Sequence, residues 1–285
     1  MHRKYKLISK LLISILSILM LNVCVGCRTS ETSTVCGVFS WKDLPENIDI
    51  DYLSQNGINT IYQYMKSEYS DNDVYNFMNN ASDYHMDVYV LAGEPEWAYE
   101  DHYEGMKKVL DNAKSLNKKL EKEDTAGIKG IVYDIEPYVL KDWDEKADIL
   151  LDGLCSSLIN ISKEKEDLEI LICIPYYYDS KGYEDELNKL IECTDGIMVM
   201  NYYKGSEIEH IENEEKLASF YGKDIINIYE LKKSGEHGIT DNNTYHDDGI
   251  DEVNNNYKEL KDAYPDYSIG IAYHDMSYFK EKLAE

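Results

Sequence analysis

From residue 35 onward the chain alternates in blocks. A short apolar run is followed by a polar or aromatic loop, then by a longer stretch with apolar residues at three- and four-residue spacing. The runs are Val35–Ser40, Ile58–Tyr64, Asp87–Ala92, Ile128–Ile135, Leu168–Ile174, Gly196–Tyr202, Ile225–Tyr229 and Ser268–Tyr273. Most are continuously apolar, as parallel strands covered on both faces are. The stretches between them predict helices. Ile48–Asn56 is short and stops at Gly57, a C′ glycine. Asp71–His85 opens on Asp and Asn, which cap well. Asp101–Lys122 carries Met106, Val109, Leu110, Ala113, Leu116 and Leu120 on one stripe. Trp143–Lys163, Tyr183–Cys193, Ile208–Tyr221, Ile250–Tyr264 and Met276–Leu283 complete the series. Eight strand–helix units in about 250 residues predict an α/β fold, a (β/α)8 TIM barrel in a single domain over residues 35–285. An open doubly wound sheet would show a glycine-rich phosphate loop after its first strand. Here Gly37 stands alone, in Gly-Val-Phe-Ser-Trp.

Charge narrows the choice of partners. The formal net charge is −26 over 285 residues, and all the charge in residues 1–26 is basic (Arg3, Lys4, Lys6, Lys10). The remainder is therefore more acidic still, a surface that repels nucleic acid and anionic lipid and favours neutral or cationic partners. The 26 Tyr against 4 Phe favour binding surfaces that are partly wet. The basic start, the apolar run Leu11–Leu21 and Val25-Gly26-Cys27 read as a signal segment over 1–26. This resembles the lipobox of bacterial lipoproteins, with Cys24 where an aliphatic residue is usual. The resemblance implies lipidation at Cys27, a polar tether over 27–34, and an exported protein anchored to the outer face of the membrane. Of six cysteines, Cys24 would leave with the signal and Cys27 would be acylated. Cys36, Cys155, Cys173 and Cys193 read as small buried hydrophobes, with a Cys155–Cys193 disulfide left open. No CxxC or Cys/His spacing suggests a metal, so no metal or cofactor is expected. A monomer is expected.

The chemistry concentrates at Gly130-Ile-Val-Tyr-Asp134-Ile-Glu136-Pro-Tyr138. Strand alternation puts Gly130, Val132, Asp134 and Glu136 on one face and Ile131, Tyr133 and Ile135 on the other. Pro137 ends the ladder. Two carboxylates at a strand's end are costly unless used or paired. In this fold the site lies at the C-terminal ends of the strands. Those ends offer Trp41, Gln63 and Tyr64, then Trp97, then Tyr138 and Trp143. Further round come Tyr176 to Asp179, Asn201 to Lys204, Glu230, and Tyr273-His274-Asp275. All three tryptophans fall on this rim. Flat rings beside carboxylates suit a sugar, which stacks its C–H faces and hydrogen-bonds its hydroxyls.

Lys129-Gly-Ile-Val-Tyr-Asp-Ile-Glu136 resembles the strand-4 signature of family-18 glycoside hydrolases, the chitinases and endo-β-N-acetylglucosaminidases. Met198-Val-Met200-Asn-Tyr202 resembles their strand-6 motif. Lys129 and Val132 stand where that family often has Asp. The resemblance implies hydrolysis of a polysaccharide containing N-acetylhexosamine by substrate-assisted catalysis. Glu136 would be the general acid, Asp134 would orient the acetamido group, and Tyr202 would hydrogen-bond its carbonyl. Trp41, Gln63, Trp97, Tyr138, Trp143, Tyr176, Met200, Asn201 and Tyr273 are the expected substrate contacts.

Asp134 and Glu136 leave one strand in one direction, about 6–7 Å apart at Cα, so they cannot flank a glycosidic bond from opposite faces. The alternative nucleophile is Glu230, across the mouth. That pairing resembles the large retaining-hydrolase clan on the same barrel, although Ile135 replaces its usual Asn. A helix cap or solvated residue is an equal reading of Glu230. Like-charge repulsion from Asp134 should raise the pKa of Glu136. A barrel that binds sugar without cleaving it is a third reading. The loop Ser234–Gly249 carries His237, Asp241, His246, Asp247 and Asp248; it fits no metal motif and reads as solvated.

Overall fold

The structure is a computed structural model that describes residues 34–284. The expected signal segment and all but Thr34 of the tether lie outside them. Eight strands form one closed parallel barrel. They are β1 (Cys36–Ser40), β2 (Thr60–Tyr64), β3 (Asp87–Ala92), β4 (Gly130–Tyr133), β5 (Glu169–Pro175), β6 (Gly196–Met200), β7 (Asp224–Glu230) and β8 (Ile269–His274). Each pairs with the next in sequence, and β8 returns to β1 through Cys36↔Ile271. Closure leaves no open edge. The helices are α1 (Asn47–Gln55), α2 (Asp71–Asp83), α3 (Tyr103–Lys122), α4 (Trp143–Glu164), α5 (Glu184–Cys193), α6 (Glu207–His210), α7 (Glu212–Tyr221), α8 (Ile250–Ala263) and α9 (Met276–Leu283). The helix expected over Ile208–Tyr221 is broken at Ile211, whose φ of −110° is not helical.

Strand alternation divides the core into two layers. Phe39, Tyr62, Leu91, Val132, Cys173 and Ile228 fill the lumen. Ile61, Val90, Ile131, Tyr133, Ile172 and Tyr229 face outward and pack beneath the helices. Each such fully buried aliphatic side chain contributes about 1.5–3 kcal/mol. The stripe predicted on α3 is the one buried, with Met106, Leu110, Ala113 and Leu120 inside. Gly57, at the end of α1, has φ +82°, a value glycine adopts freely. Cys36, Cys155, Cys173 and Cys193 are free thiols.

Candidate active site

The lumen layer ends at the C-terminal mouth in a cavity of about 220 Å3. Asp134 and Glu136 line it from the end of β4, with Tyr138 beyond Pro137. Cys173 comes from β5, Met200 and Tyr202 from β6, Glu230 from β7 and His274 from β8. The alternation that puts Val132 in the lumen carries Asp134 there too. A close approach fixes its backbone: Asp134 N–H donates to Ala92 O at 2.9 Å. A Cβ on Gly93 would lie 1.7 Å from Asp134 O, so only glycine fits there.

Asp134 Oδ1 is buried and has no hydrogen-bond partner among the described residues. Burial, and then the charge of Glu136, push its pKa up to about 6. Burial, and then the nearby Glu136 carboxylate, raise the Tyr138 phenol. The same hydroxyl reaches Met200 Sδ at 3.9 Å. Burial raises the Tyr202 phenol, and the nearby Glu230 and Asp134 add to the effect.

Glu230 is differently held. Its Oε1 accepts from the backbone N–H groups of Leu231 (3.0 Å) and Lys232 (2.8 Å). Its Oε2 lies 2.8 Å from His274 Nδ1. Although burial opposes ionisation, the His274 ring and these donors hold its pKa below the ordinary value. The Trp41 indole N–H donates to His274 Nε2 at 2.9 Å. An indole N–H can only donate, so Nε2 accepts and the ring proton sits on Nδ1, where Glu230 receives it. His274 also stacks on Tyr202, with centroids 6.3 Å apart and planes at 26°.

The loop between β7 and α8 is solvated in part: His237, Asp241, Asp247 and Asp248 are exposed, as expected, but His246 is not. Lys232, His237 and Ile239 line the cavity, and Thr244, Tyr245 and His246 are buried. Asn243 Nδ2 donates to Tyr202 O (2.6 Å), and Lys204 N–H donates to Asn242 O (2.9 Å). These bonds tie the loop to the end of β6.

Several expected contacts lie elsewhere; for Gln63, Asn201 and Tyr273 the reason is that neighbouring residues at a strand end face opposite ways. Gln63 faces outward and is fully buried, its Nε2 donating to Tyr64 O. Asn201 is also buried outside the lumen, bonded to Asn227 Oδ1, Glu207 O and His210. Tyr273 packs on Phe279 and donates to Asn254 Oδ1. Tyr176 stacks on His210 at 4.1 Å. Trp97 packs edge-on to Tyr133 in the helix layer, and Trp143 packs among Tyr138, Tyr178 and Tyr183. Those two tryptophans cover helix–strand junctions; only Trp41 bonds to a cavity residue. His274, Lys232 and Cys173 were not singled out as binding residues. Alternation would have found His274, since Ala272 faces the lumen and Tyr273 does not. The broader clefts lie away from this chemistry; one of about 750 Å3 lies near the opposite end, around Lys114, Ile128 and Glu169.

Solved structures share this architecture. A family-18 chitinase from Pseudoalteromonas aurantia superposes with a TM-score of 0.58 at 13% identity, covering 88% of this chain and 99% of its own. The shared fold is the closed (β/α)8 barrel. The glycoside hydrolase domain of PelA from Pseudomonas aeruginosa has this barrel too (TM-score 0.51, 11% identity, 86% and 97% covered). So does an intracellular xylanase from Thermoanaerobacterium saccharolyticum (0.53, 13%, 86% and 86%). No family model and no curated protein matches the chain in sequence. At such identities the likeness shows the fold alone, and activity must be argued from the cavity itself.

Proposed function

We propose that this protein is a glycosidase acting on a saccharide with a 2-acetamido group, by substrate-assisted catalysis. Glu136 protonates the leaving glycosidic oxygen. The acetamido carbonyl oxygen attacks the anomeric carbon, Asp134 accepts the amide N–H, and Tyr202 O–H donates to the carbonyl. Water then opens the cyclic intermediate, returning the acetamido group and giving its proton to Glu136. The observation that carries this reading is Asp134 Oδ1, buried without a donor beside Glu136. An unmet carboxylate oxygen in a cavity is costly, and a substrate amide N–H supplies the missing bond.

Glu230 is a weaker nucleophile candidate, because both its oxygens already accept hydrogen bonds. Its place in this scheme is to hold His274, which in turn supports Tyr202. The cavity is below the ~300 Å3 of ordinary ligand pockets and suits one ring-sized group.

The test is hydrolysis of matched aryl glycosides with and without the 2-acetamido group, by wild type and Glu136→Gln. The expected result is cleavage confined to 2-acetamido substrates, falling ~10²–10⁴-fold in the variant. Cleavage of plain hexosides would transfer the nucleophile to Glu230. Sugar binding without any cleavage would leave a carbohydrate-binding barrel.

A further inference from the structure

Lys232 is the unusual side chain of the cavity. It is half-buried and lines the same wall as His237 and His274. Its backbone is pinned on both sides: the N–H donates to Glu230 Oε1, and the carbonyl accepts from Thr244 Oγ1 at 2.6 Å. Its ammonium, by contrast, has no hydrogen bond and no ion pair within 4 Å among the described residues. The chain has 55 Asp and Glu against 29 Lys and Arg, so carboxylates are in excess. Other lysines find them readily; the neighbouring Lys233 reaches Glu281 at 3.4 Å and Lys129 reaches Asp87 at 2.8 Å. The Lys232 charge is felt at both Asp134 and Glu230, yet it pairs with neither. A partly desolvated cation on a fixed backbone, lining a ligand cavity, is a recognition group.

We propose that the sugar bound at this mouth carries a carboxylate, received by the Lys232 ammonium. This deepens the glycosidase reading and rests on it for the choice of site. One cation matches one negative charge. A doubly charged phosphate would face the ionised Glu230 across the same small cavity with twice the charge of a carboxylate and be repelled more strongly. The acidity of the whole molecule does not oppose the match. At physiological ionic strength, screening over ~8 Å confines that repulsion to the approach, and the contact inside is set by the nearest charge. His237, at the exposed rim on the same loop, is placed to donate a hydrogen bond to such a group.

The experiment measures binding apart from turnover. Glu136→Gln protein is titrated by calorimetry with N-acetylhexosamine glycosides in matched pairs. One member is neutral; the other bears a carboxylate, either at C6 or on a 3-O-lactyl arm; a 6-phosphate is the third ligand. At least one carboxylated sugar should bind about tenfold or more tightly than its neutral parent and than the phosphate, and the gap should shrink with salt. Adding Lys232→Met should bring the ratio near one, while Lys232→Arg keeps most of it. Lys233→Met, an exposed control, should not move it. Equal or tighter binding of the neutral sugars, tighter binding of the phosphate, or a preference that survives Lys232→Met, overturns the proposal. So does the absence of sugar binding altogether. A carboxylate preference without hydrolysis by wild type would sink the glycosidase reading and leave this one standing. Hydrolysis of neutral sugars with no preference would do the reverse.

Discussion

At the scale of single residues, Asp134 serves binding at the expense of stability. Its burial among lumen side chains raises its pKa from 3.8 to about 6. The folded state therefore binds this proton more tightly than the unfolded chain does. The penalty is absent below about pH 3.8, grows as pH rises, and is complete above about pH 6, on the order of 3 kcal/mol. Asp134→Asn should accordingly stabilise the protein at pH 7, read as a rise in the urea midpoint, while lowering kcat/KM. In wild type kcat/KM should fall as pH drops through about 6, because the protonated carboxyl no longer accepts the amide N–H cleanly. The variant should lose that limb. An unchanged acid limb in Asp134→Asn would remove Asp134 from the proposed mechanism. Gly93 and His274 show how narrowly this group is placed. One gives its backbone room; the other, oriented by Trp41 and Glu230, lines the cavity beside it.

At the scale of elements, the barrel was legible because burial on both faces leaves a continuous apolar run, and each of the eight runs became a strand. Asp87–Ala92 and Met276–Leu283 match to the residue. The Asp134/Glu136 pair was legible for the same reason, since alternation from Val132 fixes which way they point. What alternation could also have excluded, but position near a strand end alone could not, were Gln63, Asn201 and Tyr273. The buried part of the loop after β7 is not legible in the sequence because its anchors are remote: Asn243 to Tyr202, Tyr278 to Glu236. Nothing local marks such bonds. Helix α7 hides a second surprise. Glu214 and Glu215 are buried with all four carboxylate oxygens unpartnered, and burial raises Glu214 to about 8. A raised carboxyl costs nothing below about pH 4.5 and most above its folded value. The melting temperature should thus decline between about pH 5 and 8, and Glu214→Gln should flatten the decline. A wild-type curve that rises over this range would contradict the burial of these groups.

At the scale of the whole molecule, the chain's two ends of charge separate cleanly: a basic, apolar beginning and an acidic barrel. The anchoring expected from Val25-Gly26-Cys27 predicts that labelled palmitate is incorporated by cells making the wild type and not by cells making Cys27→Ala. Retention of label in the variant would refute it. All eight strands run in parallel, and the chain enters the first of them at Cys36, on the side away from the cavity. Whatever precedes Cys36 therefore joins the barrel at the end opposite Asp134 and Glu136, and among the described residues the mouth is built from the strand ends and the loops that follow them alone.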